Sequence, residues 1–412
     1  RQEGTGAMET INEGARLGFD AGRLDRLGPW MARWVDKGRL PGCSVAVTRR
    51  GEVAWQGGTG LRNVATAAPW TEDTIVRAYS MSKPITSVAL MMLFEEGLFH
   101  LDDPVAAYLP ELKDLKVLKP GATSIDQVED CRTPQTIHHL LTHMSGFTYG
   151  FQGGVLGDAY EARKLAFGPK AESLEAEVKR LAELPLAFQP GARWNYGVST
   201  DVAGRLVEVI SGQPLDLFLR ERILDPLGMS DTEFSVPDDK LDRFAELYTP
   251  NEDLSLKLAD TAERSVYRAA NVRTFSGGGG LMTTLGDYCR FADMVRRRGE
   301  CDAGRLLGPR TMRFMASNHL RGDLAANGQP VFSEVSYEGI GFGLGFAVML
   351  EPALSKNLGS PGDHGWGGMA STVFWADPVE DMTVVFLTQL MPSSFYPLRK
   401  ELRALVYQAL AD

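Results

Sequence analysis

The chain is predicted to be an α+β protein: one antiparallel β-sheet flanked by the first and last helices, with an all-helical domain inserted into it. Three observations predict this. Strand-like patterns occur only toward the two ends, at Cys43–Val47 and Glu52–Gly58 and again beyond residue 340. The stretch from Tyr79 to about Gly280 carries helical spacing almost throughout. Strands at both ends must each bury a face, and they do so by pairing into one sheet. The expected division is a discontinuous sheet domain, 1–78 with 281–412, and a mostly helical domain, 79–280.

Residues 20–37 read as an amphipathic helix with Leu24, Leu27, Met31, Trp34 and Val35 on one face, kinked or started late by Pro29. Cys43–Val47 and Glu52–Gly58, joined by Arg49-Arg50-Gly51, read as a β-hairpin. In the middle, His138–Thr142, Ala171–Ala182, Asp201–Ile210 and Leu215–Leu224 show helical spacing between Gly/Pro-rich links. Gly341–Met349, Thr372–Ala376 and Met382–Gln389 read as strands, the last two joined by a turn at Asp377-Pro378. Pro397–Ala411 closes the chain as a helix with Leu398, Leu402, Leu405 and Ala409 in register.

The sequence has 412 residues, 44% of them hydrophobic and 23% charged, with a net charge of −10. That balance suits a globular protein and argues against nucleic acid or an anionic membrane as partner. The longest apolar run, Val88–Phe94, falls well short of the ~20 residues that span a bilayer. Residues 1–18 are polar and Gly-rich, without the apolar core of a secretory leader, and Met8 is the expected natural start. Cys43, Cys131, Cys289 and Cys301 are scattered and read as reduced thiols, so a cytoplasmic location is expected.

The rest of the chain is organised around Ala78-Tyr79-Ser80-Met81-Ser82-Lys83 and the apolar run that follows, Pro84–Leu98. A helix starting near Ser80 places the Lys83 amine one turn on, within reach of the hydroxyl. Ser80 then sits at the positive end of the helix, where unpaired N–H groups can stabilise an oxyanion. Ile85, Val88, Ala89, Met92 and Leu93 supply the buried face. About one Ser-x-x-Lys is expected by chance in a chain this long, and this is the only one present. Partners elsewhere must decide.

A second constellation is Trp194-Asn195-Tyr196-Gly197-Val198-Ser199-Thr200-Asp201, ahead of a helix that starts at about Asp201 and is capped by Ser199–Asp201. A phenol held near an ammonium ionises more easily and can exchange protons with Ser80, although a loop tyrosine taken alone is usually a packing residue. A third is His364-Gly365-Trp366-Gly367-Gly368-Met369, entering a strand, where small residues let a substrate lie against backbone. His139 and His143 have the spacing of a zinc pair but lack the glutamate that follows the first histidine, so no metal is expected. Ser276–Gly280 and Gly341–Gly345 lack nucleotide-loop spacing, and no Gly-x-Ser-x-Gly elbow occurs.

With these stretches in order, the chain resembles the serine β-lactamase and penicillin-binding-protein superfamily. More narrowly, it is similar to the family VIII carboxylesterases, which share the class C β-lactamase fold. The likeness runs from about residue 20 to 410. It includes Ser80-Met81-Ser82-Lys83, Thr136–Gly146, Trp194-Asn195-Tyr196, Asp225-Pro226-Leu227-Gly228-Met229, Ser276–Leu281 and Trp366-Gly367-Gly368. The resemblance implies Ser80 as nucleophile, Lys83 and Tyr196 as general base and acid, and the N–H groups of Ser80 and Met369 as oxyanion hole. It implies a pocket lined by Trp366, Gly367 and Gly368, with Tyr149 and Asp201 near the site, and neither cofactor nor metal.

The departures bear on substrate. β-Lactamases and D,D-peptidases carry Tyr-x-Asn and a Lys-Thr-Gly or His-Thr-Gly motif; here Val198 and Trp366 take the Asn and cation positions. A cation there holds an anionic carboxylate, whereas an indole offers an apolar wall. Neutral short-chain carboxylic esters are therefore the expected substrates, cleaved through an acyl-Ser80 intermediate. His364 is a candidate source of positive charge, which keeps weak β-lactam turnover open. β-Lactamase or D,D-peptidase activity, acyl transfer to an alcohol or amine, and a non-catalytic penicillin sensor or scaffold stand as alternatives.

Overall fold

The computed structural model describes residues 8–329, 331–332 and 335–412, so the stretch ahead of Met8 lies outside the described residues. Residues 11–63 supply β1 (Ile11–Asn12), β2 (Gly42–Arg49) and β3 (Glu52–Asn63). Residues 340–388 supply β4 (Ile340–Phe342), β5 (Ala347–Met349), β6 (His364–Gly367), β7 (Val373–Asp377) and β8 (Met382–Thr388). They form one antiparallel sheet in the order β1-β3-β2-β8-β7-β6-β5-β4, with Ala68–Pro69 added beside β3. The two ends of the chain meet at its centre, where β2 pairs with β8 from Cys43 opposite Thr388 to Arg49 opposite Met382.

Side chains alternate across this seam. Val45, Val47, Val384 and Phe386 enter one core with Leu27 and Trp30 of helix α1 (Leu27–Asp36) and Leu402 of the C-terminal helix (Leu398–Tyr407). Ala46, Val385 and Leu387 enter the other, together with the helices of the middle of the chain. Both faces are covered, so β2 and β8 are buried at every position and read as nearly continuous apolar runs.

Several elements differ from the reading of the sequence. The helix expected over 20–37 is two pieces, Ala21–Leu24 and α1; Pro29 sits in the first turn of α1, where its missing N–H costs little. The single strand expected over Gly341–Met349 is the hairpin β4–β5, because Gly345 adopts a φ of +94° that a strand does not use. The Asp377-Pro378 turn closes as expected, with Asp377 Oδ1 accepting from the amides of Val379 and Glu380. Between Tyr79 and Gly280 two hairpins interrupt the helices, Lys116–Leu118 with Val128–Asp130 and Leu247–Pro250 with Leu256–Asp260. Leu215–Leu224 is one α-helical turn, Leu215–Leu219, continued by a π-helical turn, Arg220–Leu224.

The helix that follows Ser80, α2 (Ser82–Glu95), is buried at every residue from Ser82 to Leu93 rather than on one face. A helix apolar all round belongs in the interior, and α2 packs there against α3 (Ser199–Ser211). The start of the helix is thereby held between the helical layer and the strand β6.

Candidate active site

Ser80 lies in a single 3-10 turn, Tyr79–Met81, that feeds into α2. The turn is fixed on both sides: the Ala78 amide donates to Leu281 O at 2.9 Å, and Ser82 Oγ accepts from the Leu281 amide at 3.0 Å. Tyr79 takes a φ of +45°, an uncommon conformation for a bulky side chain, which the surrounding structure must enforce.

Lys83 follows Ser80 by three residues and is 1% exposed. Its Nζ lies 3.2 Å from Ser80 Oγ, 2.8 Å from Tyr149 Oη and 2.6 Å from Gly278 O. Three acceptors thus meet the three donors of an ammonium. Tyr196, 116 residues beyond Ser80, places its Oη 2.6 Å from Ser80 Oγ. Its loop is clamped by Asn195 N donating to His143 O at 2.8 Å, by Gln152 Nε2 donating to Tyr196 O, and by Trp194 stacked on the ring at 6.1 Å. Gly197 lies against Phe147 O, where any β-carbon would collide. These contacts bring the amine and the phenol each within hydrogen-bonding range of the hydroxyl.

Tyr149 is also at the centre, not at the edge. Burial, then the neighbouring Tyr196 and Asp201, hold its phenol far above the ordinary range, and it hydrogen-bonds to Tyr196. A neutral Tyr149 can accept from Lys83 and donate to Tyr196. Asp201 is buried at 2% exposure and reaches Lys83 only indirectly: it accepts from Ser276 Oγ and, at 3.0 Å, from the Gly278 amide, and so fixes the carbonyl that Lys83 uses. Burial raises its carboxyl, with the Lys83 charge opposing. α3 starts at Ser199 rather than Asp201 and has no side-chain cap; Ser199 Oγ is engaged with Ser145 Oγ at 2.7 Å.

Trp366 projects from β6 and is 8% exposed. Its indole Nε1 donates to Tyr196 Oη at 3.2 Å, a bond that no sequence pattern signals. Beyond it, Gly368 packs against Ala78 O so closely that a β-carbon would not fit, which presses the turn bearing Met369 onto the residue two before Ser80. Arg399 Nη2 spans that turn, donating to Gly368 O and Thr372 O at 3.0 Å each.

His364 corrects an expectation. It is buried against Phe346, its Nδ1 lies 2.9 Å from Gly362 O, and burial lowers its basicity, so it brings no positive charge to the site. His139 Nδ1 accepts from the Thr136 amide and caps a helix, while His143 is buried beside the Tyr196 ring at 5.0 Å. Among the described residues no group of His, Cys, Asp and Glu side chains is placed to hold a metal.

Ser80 opens into a cavity of about 750 Å³ whose walls include Tyr149, Phe151, Phe167, Phe234, Tyr267 and Trp366. Gly367, Gly368 and Met369 form one side, and the charged groups among the lining residues are Asp201 and Arg399. Arg399 and the Gly278 carbonyl were not legible as site groups, although the glycine run Ser276–Gly280 signalled close backbone approach. Among the described residues, no helix is long and apolar enough to cross a membrane.

The chain matches known proteins over most of its length. The Beta-lactamase family profile covers residues 27–408. Protein Rv1367c of Mycobacterium tuberculosis is 35% identical over 367 residues, 87% of this chain and 88% of that one. Esterase EstB of Burkholderia gladioli is 31% identical over 386 residues, 90% of this chain and 91% of that one. Among solved structures, EstCE1, described as a hydrolase with promiscuous acyltransferase activity, superposes with a TM-score of 0.79 at 25% identity, covering 94% of this chain and 99% of that chain.

Proposed function

The chain belongs to the beta-lactamase family, and we propose that within it the protein is a serine esterase acting on neutral carboxylic esters through an acyl-Ser80 intermediate. One observation carries the reading: Ser80 Oγ lies between Tyr196 Oη at 2.6 Å and Lys83 Nζ at 3.2 Å, at the floor of an apolar cavity.

With Lys83 donating to Ser80, Tyr149 and Gly278 O, the base of this reading is Tyr196 in its deprotonated form, which takes the Ser80 proton and becomes a neutral phenol. Oγ attacks the ester carbonyl, and the amides of Ser80 and Met369 stabilise the tetrahedral oxyanion. Collapse breaks the ester C–O bond; the alcohol leaves with the proton held by Tyr196. Water then enters, gives its proton to Tyr196 and attacks the acyl carbon, and Ser80 departs with that proton. The nucleophile sits where a sheet domain of 1–78 with 281–412 meets a helical domain of 79–280. This chemistry needs no cofactor.

The same walls argue for substrate. The family's cationic position holds an indole, His364 is turned away, and Arg399 spans the Gly368–Thr372 turn. Short neutral acyl groups fit this lining better than the carboxylate of a β-lactam. EstCE1 favours a second reading, in which an alcohol replaces water and takes the acyl group.

The test is hydrolysis of p-nitrophenyl butyrate and nitrocefin by wild type and Ser80→Ala, with mass spectrometry of the trapped acyl adduct. Ser80→Ala is expected to lose on the order of 10³-fold or more in kcat, and the adduct to sit on Ser80. Wild-type rates in Ser80→Ala reject this site, and nitrocefin turnover above ester turnover rejects the esterase in favour of a β-lactamase.

A further inference from the structure

We propose that the Trp366 indole N–H is a fixed hydrogen-bond donor to the Tyr196 oxygen, holding that oxygen as the proton acceptor of the site. Trp366 is then a positioning residue of the proton transfer and not only a wall of the cavity. The inference rests on the reading that Tyr196 exchanges a proton with Ser80.

Direction is what makes the bond informative. An indole N–H can only donate, so at 3.2 Å the Tyr196 oxygen must accept. The neighbouring groups share that polarity. Lys83 donates to Tyr149 Oη at 2.8 Å, and Tyr149, kept neutral by burial, hydrogen-bonds to Tyr196. Ser80 Oγ accepts from Lys83 at 3.2 Å and from the Tyr196 hydroxyl at 2.6 Å. The donors that converge on the phenolic oxygen are therefore Tyr149 and Trp366. A hydrogen bond made to the charged form favours that form. The indole thus favours negative charge on that oxygen whenever its own proton is away, and its bond weakens as the phenol is re-formed.

The donor is also immobile. The Trp366 ring packs on Tyr196 and Phe342, each at 5.4 Å between centroids. The glycines on either side leave no room for a β-carbon: Gly365 abuts Phe374 O, and Gly367 abuts the Arg399 guanidinium. The strand cannot shift without breaking these contacts, so the N–H arrives with its orientation settled and loses little in reorganisation. A residue that served only as an apolar wall would work as well with phenylalanine.

The test is Trp366→Phe, which keeps the ring and removes the N–H, assayed from pH 5 to 10 on p-nitrophenyl butyrate beside Ser80→Ala. At pH 7, kcat is expected to fall about 10- to 100-fold with KM within about twofold. The acid limb of the rate profile is expected to move up by about one pH unit or more. Trp366→His, which restores a ring N–H, is expected to recover part of both. In wild type labelled with ¹⁵N-tryptophan, the Trp366 indole proton is expected to shift across the same acid limb, and to stop doing so in Tyr196→Phe. An unchanged profile in Trp366→Phe, a loss confined to KM, or an indole resonance indifferent to that limb overturns the proposal. Each leaves the esterase reading intact provided Ser80→Ala is inactive, whereas activity in Ser80→Ala would remove both.

Discussion

At the scale of single residues, the proposed chemistry runs through backbone atoms as much as side chains. Ser80 and Lys83 stood out by their spacing at the start of an apolar helix, and Tyr196, 116 residues away, only through the resemblance; folding brings the amine and the phenol to the hydroxyl. The carbonyl of Gly278 was not, since every residue has one; only folding shows that Lys83 donates to it at 2.6 Å. Asp201 matters through that carbonyl. Removing its carboxylate leaves Ser276 Oγ and the Gly278 amide, both buried, without the acceptor they share. Asp201→Ala is therefore expected to lower kcat about 10- to 100-fold. Because the carboxylate acts through Lys83, Asp201→Asn, which still offers an oxygen to the amide, is expected to recover most of the loss. Steady-state kinetics on one ester check both, and an Asp201→Ala enzyme with wild-type kcat contradicts this account.

At the scale of elements, the legible parts were those whose period matches their burial. The strands β2, β7 and β8 and the C-terminal helix were read near their true bounds because their apolar residues recur at period 2, run continuously, or follow a helical stripe. β4 and β5 were merged because glycines carry no hydrophobic signal, and the hairpin over Leu247–Asp260 was missed because its second strand is largely exposed. The register that delivers Trp366 to Tyr196 was equally hidden, since it depends on which strand lies beside β6. The seam between β2 and β8 gives this scale its prediction. Phe386 is fully buried, with Trp30 5.6 Å away across the outer core. Phe386→Ala is expected to cost about 3–5 kcal/mol in unfolding free energy, read from urea denaturation. A loss below 1 kcal/mol would mean that this face of the sheet is not packed as described.

At the scale of the whole molecule, five of the six histidines are buried or partly buried. His138, His139, His143, His319 and His364 are all held below the ordinary imidazole value, chiefly by burial, with His138 pushed down to about 4. Their folded values lie below their unfolded ones, so the unfolded chain takes up protons first as pH falls. The stability they carry is whole above about pH 6.5 and is lost as pH drops toward 4. The two most deeply buried, His143 and His364, each contribute a slope of up to ~1.4 kcal/mol per pH unit in that window. Buried Asp201, Asp287 and Glu246 and the half-buried Glu233, held above their ordinary values, offset part of it. Urea midpoints measured from pH 7 to pH 5 are expected to fall, and to fall less steeply in His364→Phe; an identical slope in that variant contradicts the assignment. The meeting of β2 with β8 has a further consequence, for synthesis. A chain still leaving the ribosome carries Ser80, Lys83 and Tyr196 before the strand bearing Trp366 and the central partner of β2 emerge. The constellation proposed to act is thereby incomplete until β6 and β8 have been made. The same arrangement would let the chain be divided after residue 330 into two inert pieces whose reunion switches on colour from a chromogenic substrate.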